Sequence, residues 1–218
     1  MREFVLRARK APTTPGFRLD KQPPHRHLEI IAHCVVNSLF YAASVRQDTR
    51  FHVVMEGPAS PPKTITWDGD RLGTLDGLDE GSIWTVMRRA LEKGKGLTLD
   101  QEDESQPGVW IAKRSFEQLV KERAMQGQLY YLRPDGEDIR RTTLVPCSCF
   151  VFTDHLAMPR KTDRFLERLG ARPLSVGPRM LYASQCIAVV HNELDRWEQD
   201  AADDAVVARG RTDMHAGS

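Results

Sequence analysis

Residues 172–195 read Arg-Pro-Leu-Ser-Val-Gly-Pro-Arg-Met-Leu-Tyr-Ala-Ser-Gln-Cys-Ile-Ala-Val-Val-His-Asn-Glu-Leu-Asp, and the predicted architecture rests on this stretch. Leu174, Ser175 and Val176 have the pattern of a short strand. Gly177 permits unusual backbone angles, and Pro178 fixes the φ angle that follows. Apolar and small residues then recur at the spacing of a helix: Met180, Leu181, Ser184, Ile187, Ala188, Val190, His191 and Leu194. The stretch predicts a strand, a tight turn and a helix.

A turn of this kind leaves backbone N–H groups free at the start of a helix, where a small ligand can accept hydrogen bonds from them. Two interpretations are open at this point. The segment is either an ordinary buried strand-turn-helix or the wall of a ligand site, and the local pattern alone favours the first.

The rest of the chain alternates strand and helix patterns. Strands are predicted at 2–8, 50–55, 63–67, 109–112, 128–132 and 149–153, and helices at 27–42, 79–91, 115–120 and 160–169. A hairpin turn is predicted at 68–70 and leads into a short edge strand. Loops at 11–25 and 94–107, the second of them mobile, and a turn at 134–136 separate other elements. This alternation predicts an α/β fold with a mostly parallel sheet flanked by helices. We expect one domain over residues 1–197 and a disordered tail at 198–218.

Ligands of such sheets bind beyond the carboxyl ends of the strands. Three predicted strands end close to distinctive residues: Leu132, Thr153 with Asp154, and Val176 with Gly177. We expect these ends to lie side by side and to form a binding edge. Asp154 is either a turn cap or a group that faces the ligand.

Composition narrows the class of protein. The 218 residues are 40% hydrophobic and 28% charged, which is typical of a globular protein. The formal net charge is only +1, so any surface for nucleic acid must be a local patch. The basic and acidic residues of the first ten positions and the lack of a long apolar run predict a cytoplasmic protein with no membrane span and reduced cysteines.

Several site motifs are absent from the sequence. No Gly-x-Gly-x-x-Gly follows a predicted strand, and no Gly-x-Ser-x-Gly elbow occurs. His25-x-His27 and Cys147-x-Cys149 have the spacing of metal-ligand pairs, but neither has a second pair at the spacing of a zinc finger. We therefore predict no metal site.

The stretch from Leu174 to Ile187, with Val-Val-His-Asn-Glu-Leu-Asp after it, resembles the cofactor segment of TrmY-type tRNA pseudouridine N1-methyltransferases of the SPOUT superfamily. The resemblance extends over nearly the whole chain through short pieces in the same order: Met1-Arg2-Glu3-Phe4-Val5, Ala32-His33-Cys34, Val45-Arg46-Gln47-Asp48, Leu129-Tyr130-Tyr131-Leu132 and Thr153-Asp154-His155. It implies a deep trefoil knot over about residues 128–197, which pattern alone would never suggest because ordinary folds avoid knots.

The resemblance also implies a cofactor, S-adenosylmethionine, held largely by backbone atoms of the knot. The cofactor-binding residues carried over or predicted from the strand ends are Leu132, Thr153, Asp154, Leu174, Ser175, Val176, Gly177, Leu181, Ser184 and Cys186. Leu132 and Leu181 would pack against the adenosine, and both are equally compatible with a simple core. Cys186 is either a buried small side chain or part of the cofactor wall.

Arg46, Asp48 and Arg50 form a charge cluster after the first predicted helix. They are either a solvated ion-pair cluster or an RNA contact, since arginine can donate two hydrogen bonds to a phosphate. The resemblance implies that Arg46 and Arg50 bind RNA across a homodimer. It also makes Asp48 the candidate catalytic residue that accepts the N1 proton of the target base.

The reaction implied is methylation of N1 of pseudouridine in RNA, which in archaeal relatives lies in the T-loop of tRNA. Ala32-His33-Cys34 and residues 180–186 look more like the bacterial branch, so the RNA, a tRNA or an rRNA, is left open. The expected partners are RNA and a second copy of the chain, without DNA or a membrane. The alternatives are a non-catalytic RNA-binding module that keeps the cofactor fold, and an α/β protein with an unrelated small ligand.

Overall fold

The computed structural model describes residues 1–17, 26–42, 44–145, 147–154 and 156–215, with the backbone alone at 26, 27, 202 and 204–215. His25 of the metal-like pair and His155 after Asp154 lie outside the described residues, as does the end of the tail at 216–218. Among the described residues, no group of three or more potential metal ligands lies close together. Nor does any described helix have the length and apolar character needed to cross a membrane.

Ten strands and five α-helices are described. The strands are β1 (Arg2–Ala8), β2 (Phe40–Tyr41), β3 (Ser44–Val45), β4 (Thr49–Met55), β5 (Lys63–Asp68), β6 (Glu102–Gln106), β7 (Val109–Ala112), β8 (Leu129–Asp138), β9 (Cys149–Thr153) and β10 (Arg172–Ser175). The helices are α1 (Arg26–Leu39), α2 (Glu80–Lys93), α3 (Phe116–Gln126), α4 (Arg160–Arg168) and α5 (Ala183–His215). Short 3-10 helices lie at Gly94–Gly96 and Ile139–Arg141.

Eight of these strands form one sheet in the order β10-β8-β9-β1-β4-β5-β7-β6. The five strands from β10 to β4 are parallel, and β5, β7 and β6 continue the sheet in antiparallel pairs. The strands β2 and β3 pair separately as a short antiparallel ribbon. The prediction of a mostly parallel α/β sheet flanked by helices is confirmed.

The sheet is covered on both faces because its central strands are apolar at successive positions. Phe4 and Leu6 of β1 pack into one cluster with α1, α2 and α5. Val5, between them, points to the opposite face and packs with residues of α3 and α4. Phe150 and Val151 of β9 divide between the two faces in the same way. The parallel half is therefore buried between two helical layers.

Local signals placed two helices correctly. The Asp79 carboxylate accepts a hydrogen bond from the backbone N–H of Ser82 at the start of α2, and Ser115 and Gln118 form a reciprocal capping box at the start of α3.

Three predicted loops and turns differ from the structure. The segment predicted as a mobile loop at 94–107 contains the edge strand β6, whose polar residues pair with β7. The turn predicted at 134–136 lies inside β8, and the 68–70 turn leads to no strand among residues 69–79. The disordered tail at 198–218 stays a prediction, and α5 is described through His215.

Candidate active site

A cavity of about 290 Å³ opens at the carboxyl ends of β9 and β10 and beside the middle of β8. Its walls are these parts of the three strands, one residue of α1, the segment that connects β10 to α5, and the first turn of α5. Its volume is close to the smallest volumes typical of small-molecule sites, about 300 Å³. This is the edge at which parallel α/β sheets bind ligands.

An irregularity in the pairing of β8 with β10 brings residues of β8 to the cavity wall. Tyr131 is the partner of Pro173, whereas the next residue of β10, Leu174, is the partner of Glu137. The intervening residues of β8 bulge from the ladder, and Leu132 and its two successors line the cavity.

The connection from β10 to α5 forms the opposite wall. Gly177 has a φ of +136°, a region that side chains with a Cβ disfavour, and a Cβ built there would meet no atom within 4 Å. The Ser175 hydroxyl contacts both the N–H and the carbonyl of Gly177 and tightens the turn. The backbone that approaches the cavity here is therefore accessible because no side chain covers it.

The start of α5 is fixed by hydrogen bonds around Tyr182. The Tyr182 carbonyl accepts from the backbone N–H groups of Gln185 and Cys186, at 2.9 and 3.0 Å. The Gln185 side-chain oxygen accepts in return from the Tyr182 N–H at 2.9 Å. The wall that carries Tyr182 and Cys186 is rigidly attached to the helix.

Two thiols lie on the α1–α5 side of the site. Burial raises the pKa of Cys186, which lines the cavity, to about 11. Burial also raises the pKa of Cys34 behind it, with smaller contributions from Cys186 and Asp154. Both thiols are neutral at physiological pH, so Cys186 offers the cavity a soft, uncharged surface rather than a nucleophile.

Eight of the ten predicted cofactor-binding residues line the cavity: Leu132, Thr153, Asp154, Ser175, Val176, Gly177, Leu181 and Cys186. The structure does not place the other two in its wall. Leu174 points into the core between the sheet and its helices, and Ser184 is buried in the first turn of α5.

The remaining wall residues were not predicted from the sequence: Ile30, Arg133, Pro134, Phe152, Arg179, Met180, Tyr182 and Ala183. Most of them adjoin a selected residue in sequence: Phe152 precedes Thr153, Met180 and Tyr182 flank Leu181, and Ala183 precedes Ser184. Ile30 carried no local signal, because its place in the wall depends on how α1 packs against α5.

The predicted catalytic residue, Asp48, lies at the opposite edge of the sheet. Its carbonyl accepts the Arg2 N–H at 2.7 Å at the amino end of β1, and its carboxylate lies 3.0 Å from the Arg2 guanidinium. Asp154, in the cavity, is bonded through its N–H to the carbonyl of Arg7. The five residue steps from Arg2 to Arg7 span about 17 Å of strand. Asp48 therefore does not reach the cavity of its own chain.

The two predicted RNA-binding arginines are engaged in ion pairs at the same amino-end edge. Arg46 donates to both carboxylate oxygens of Asp195 at 3.0 and 2.8 Å, and only 15% of its side chain is exposed. Arg50 donates to Asp68 at 2.7 Å. An RNA phosphate would have to compete with these internal carboxylates.

His191 of α5 is buried beside this charge cluster. Its Nε2 lies 2.9 Å from the Ser38 carbonyl and must donate, so its Nδ1 accepts from the Arg2 guanidinium at 3.2 Å. Burial, and then the charges of Arg46 and Arg2, lower the pKa of His191 to about 3. The neutral imidazole is the form that fits this position.

This environment predicts a loss of stability in mild acid. Because the folded-state pKa lies below the ordinary value of 6.5, the unfolded chain binds a proton that the folded chain rejects as pH falls below 6.5. The contribution of the neutral imidazole to stability is fully present above pH 6.5. Below that pH, the free energy of unfolding should fall by up to about 1.4 kcal/mol for each unit by which the pH is lowered. Urea unfolding between pH 7 and 5 measures the slope. His191→Gln should flatten it, whereas His33→Gln, at an exposed site, should not; equal slopes in all three proteins would contradict the assignment.

The fold and the cavity define an α/β protein that takes a small ligand at the carboxyl ends of parallel strands. The chain belongs to the family described as "Putative SAM-dependent RNA methyltransferase", whose sequence model matches residues 1–199. The cofactor of this family is S-adenosylmethionine, as predicted from the sequence.

Curated relatives match almost end to end. A protein of Photobacterium profundum named "Putative pseudouridine methyltransferase" is 40% identical over 195 residues, which cover 89% of this chain and 98% of the relative. A protein of the same name from Vibrio cholerae serotype O1 is 39% identical over 198 residues, with coverages of 91% and 98%. The resemblance noted in the sequence is thus confirmed at the level of the family.

A solved structure shares the fold at much lower identity. The crystal structure of Archaeoglobus fulgidus Nep1 bound to S-adenosylhomocysteine superposes with a TM-score of 0.54 and 14% sequence identity. The match covers 83% of this chain and 74% of that chain, so the architecture is common to both.

Proposed function

We propose that this protein transfers the methyl group of S-adenosylmethionine to N1 of a pseudouridine in RNA. The observation that carries the proposal is the cavity beside β8 and the carboxyl ends of β9 and β10, whose wall contains eight of the ten residues for which a cofactor role was predicted. The names of the bacterial relatives support pseudouridine as the substrate.

The wall residues suit this cofactor. Leu132 and Leu181 offer apolar surface for the adenosine, and the uncovered backbone at Gly177 offers hydrogen bonds. Asp154 is a wall carboxylate, an appropriate neighbour for a cation. The cofactor supplies an electrophilic methyl group on a positively charged sulfur. The protein's task is to exclude water and to hold the acceptor nitrogen in line with that methyl.

Pseudouridine is the acceptor that this chemistry favours because its N1 carries a proton, whereas N1 of uridine is blocked by the glycosidic bond. That proton must leave as the new N–C bond forms, so a base is needed within hydrogen-bond reach. We propose Asp48 for this role, supplied to the cavity by a second copy of the chain. Its carboxylate is 47% exposed, which leaves it accessible to a partner.

Within this proposal the protein is a homodimer, and Arg46 and Arg50 guide the RNA near the partner's cavity. We also propose that residues of about 128–197 form a deep trefoil knot. The support for the knot is the resemblance of residues 172–195 to the cofactor segment of knotted methyltransferases. An experimental chain trace in which α5 passes outside the loop would rule out the knot.

A cytoplasmic location with reduced cysteines stays part of this proposal. The substrate assay uses both tRNA and rRNA that contain pseudouridine, and it distinguishes between them.

The reaction is tested with S-adenosylmethionine carrying a labelled methyl group and two transcripts of one sequence, containing either pseudouridine or uridine. Nucleoside mass spectrometry should find labelled N1-methylpseudouridine from the first transcript alone. Binding of S-adenosylhomocysteine and RNA without any product, across tRNA and rRNA substrates, would favour the non-catalytic RNA-binding module. Failure of S-adenosylhomocysteine to bind a folded protein would favour an unrelated ligand.

A further inference from the structure

Two large apolar side chains stand exposed on the cavity wall. Met180 is 85% exposed and Tyr182 is 67% exposed, and both line the cavity beside the half-buried Leu181. Single exposed apolar residues are common on protein surfaces and need no explanation. Two that adjoin one cavity form a patch, and such patches mark binding surfaces.

The patch is held in place before anything binds. The backbone of Tyr182 is fixed on both sides by Gln185, whose N–H donates to the Tyr182 carbonyl and whose side chain accepts the Tyr182 N–H. A ring carried on a fixed backbone loses little conformational freedom when a ligand stacks on it.

The same rim carries positive charge. Arg179 is exposed, lines the cavity, and forms no ion pair with any side chain that the structure describes. Across the cavity, Arg133 is held by two hydrogen bonds to Asp135 at 2.8 and 2.7 Å. Arg179 therefore differs from Arg46 and Arg50, whose guanidinium groups already pair with carboxylates.

An exposed aromatic ring beside a guanidinium is the chemistry that recognises an unstacked base and its phosphate. We propose that Tyr182 is the stacking platform for the target nucleotide as it enters the cavity, and that Arg179 binds a flanking phosphate. The inference rests on the proposed function for the identity of the nucleotide. Beyond that function, it assigns the residue that binds the target base before methyl transfer, and this residue belongs to the same chain as the cofactor cavity.

The test measures RNA binding without turnover. A short single-stranded RNA with a central pseudouridine is titrated in the presence of saturating S-adenosylhomocysteine. Tyr182→Ala should raise the Kd for RNA by about 5- to 150-fold, the range for loss of one stacked base. Tyr182→Phe, which keeps the ring, should stay within about threefold of the unchanged protein. Met125→Ala, at an 81% exposed site on α3 on the other face of the sheet, is the matched control and should change nothing.

Arg179→Gln should lower the slope of log Kd against log salt concentration by about 0.7, the contribution of one phosphate contact in single-stranded RNA. Affinity for S-adenosylhomocysteine, measured by calorimetry, should be the same in all variants.

Three results would overturn the inference. If Tyr182→Ala weakens binding of S-adenosylhomocysteine and of RNA by the same factor, the ring contacts the cofactor rather than a base. If Tyr182→Ala changes the sedimentation mass, the patch is a contact between copies. If it leaves RNA affinity unchanged, nothing stacks there. Because RNA binding is measured apart from turnover, failure of methyl transfer in the unchanged protein would reject the proposed reaction and leave the platform still testable.

Discussion

Gly177→Leu is expected to abolish binding of S-adenosylhomocysteine in a protein that still folds. The φ of +136° at this residue favours glycine, and its missing Cβ leaves open space at the cavity wall. A leucine would introduce strain of about 1–3 kcal/mol and four carbon atoms where the ligand should contact backbone. We expect a loss of affinity of at least about 100-fold, equivalent to about 2.7 kcal/mol. Calorimetric titration measures it.

Gly170 provides the matched control for strain alone. It also has a positive φ, +78°, and a Cβ there would likewise meet nothing within 4 Å, but it follows α4 and lies outside the cavity wall. Gly170→Leu should lower the thermal midpoint about as much as Gly177→Leu and leave ligand affinity intact. If both variants bind S-adenosylhomocysteine like the unchanged protein, the cavity is not the cofactor site.

The parts of the fold that could be predicted from the sequence are those determined by local patterns of apolar and capping residues. The continuously apolar strand β9 could be read as buried on both faces, and the cap at Ser115 could be read from its spacing to Gln118. Strand β6 could not, because its sequence, Glu-Asp-Glu-Ser-Gln, has no apolar alternation. It is a strand because the edge of β7 offers unpaired backbone groups, which is a tertiary cause.

In the candidate site, too, some positions follow from local sequence and others depend on tertiary structure. The strand ends at Thr153 and Val176 could be placed at one edge because parallel strands share a direction. The contribution of Arg133 depends on the bulge of β8 against β10, which no local pattern signals. The position of Asp48 was also beyond local reasoning, because the sequence does not tell which edge of the sheet a loop joins until the strand order is known.

A large loss of activity is also expected for Asp48→Asn. Removing the proposed base should lower kcat by roughly 10²- to 10⁴-fold while affinity for S-adenosylhomocysteine is retained. Asp48 also pairs with Arg2, so a structural effect must be separated from a catalytic one. Glu198→Gln serves for this purpose, because Glu198 also pairs with Arg2. Equal losses of kcat in both variants would show that the ion-pair cluster, rather than a base, had been removed.

Mixing two inactive variants decides whether Asp48 acts in the cavity of a second chain. In a dimer of Asp48→Asn with Gly177→Leu, the first chain contributes an intact cavity and the second contributes an intact Asp48. If the carboxylate acts between subunits, one of the two sites is complete, and random exchange of subunits should restore roughly a quarter of the unchanged activity. If it acts within its own chain, every site lacks one of the two elements and mixing restores nothing. Because Asp48 is separated from the cavity of its own chain by about 17 Å along β1, mixing must restore activity if Asp48 is the base. A mixture that stays inactive although its subunits are shown to exchange would therefore remove Asp48 from the mechanism.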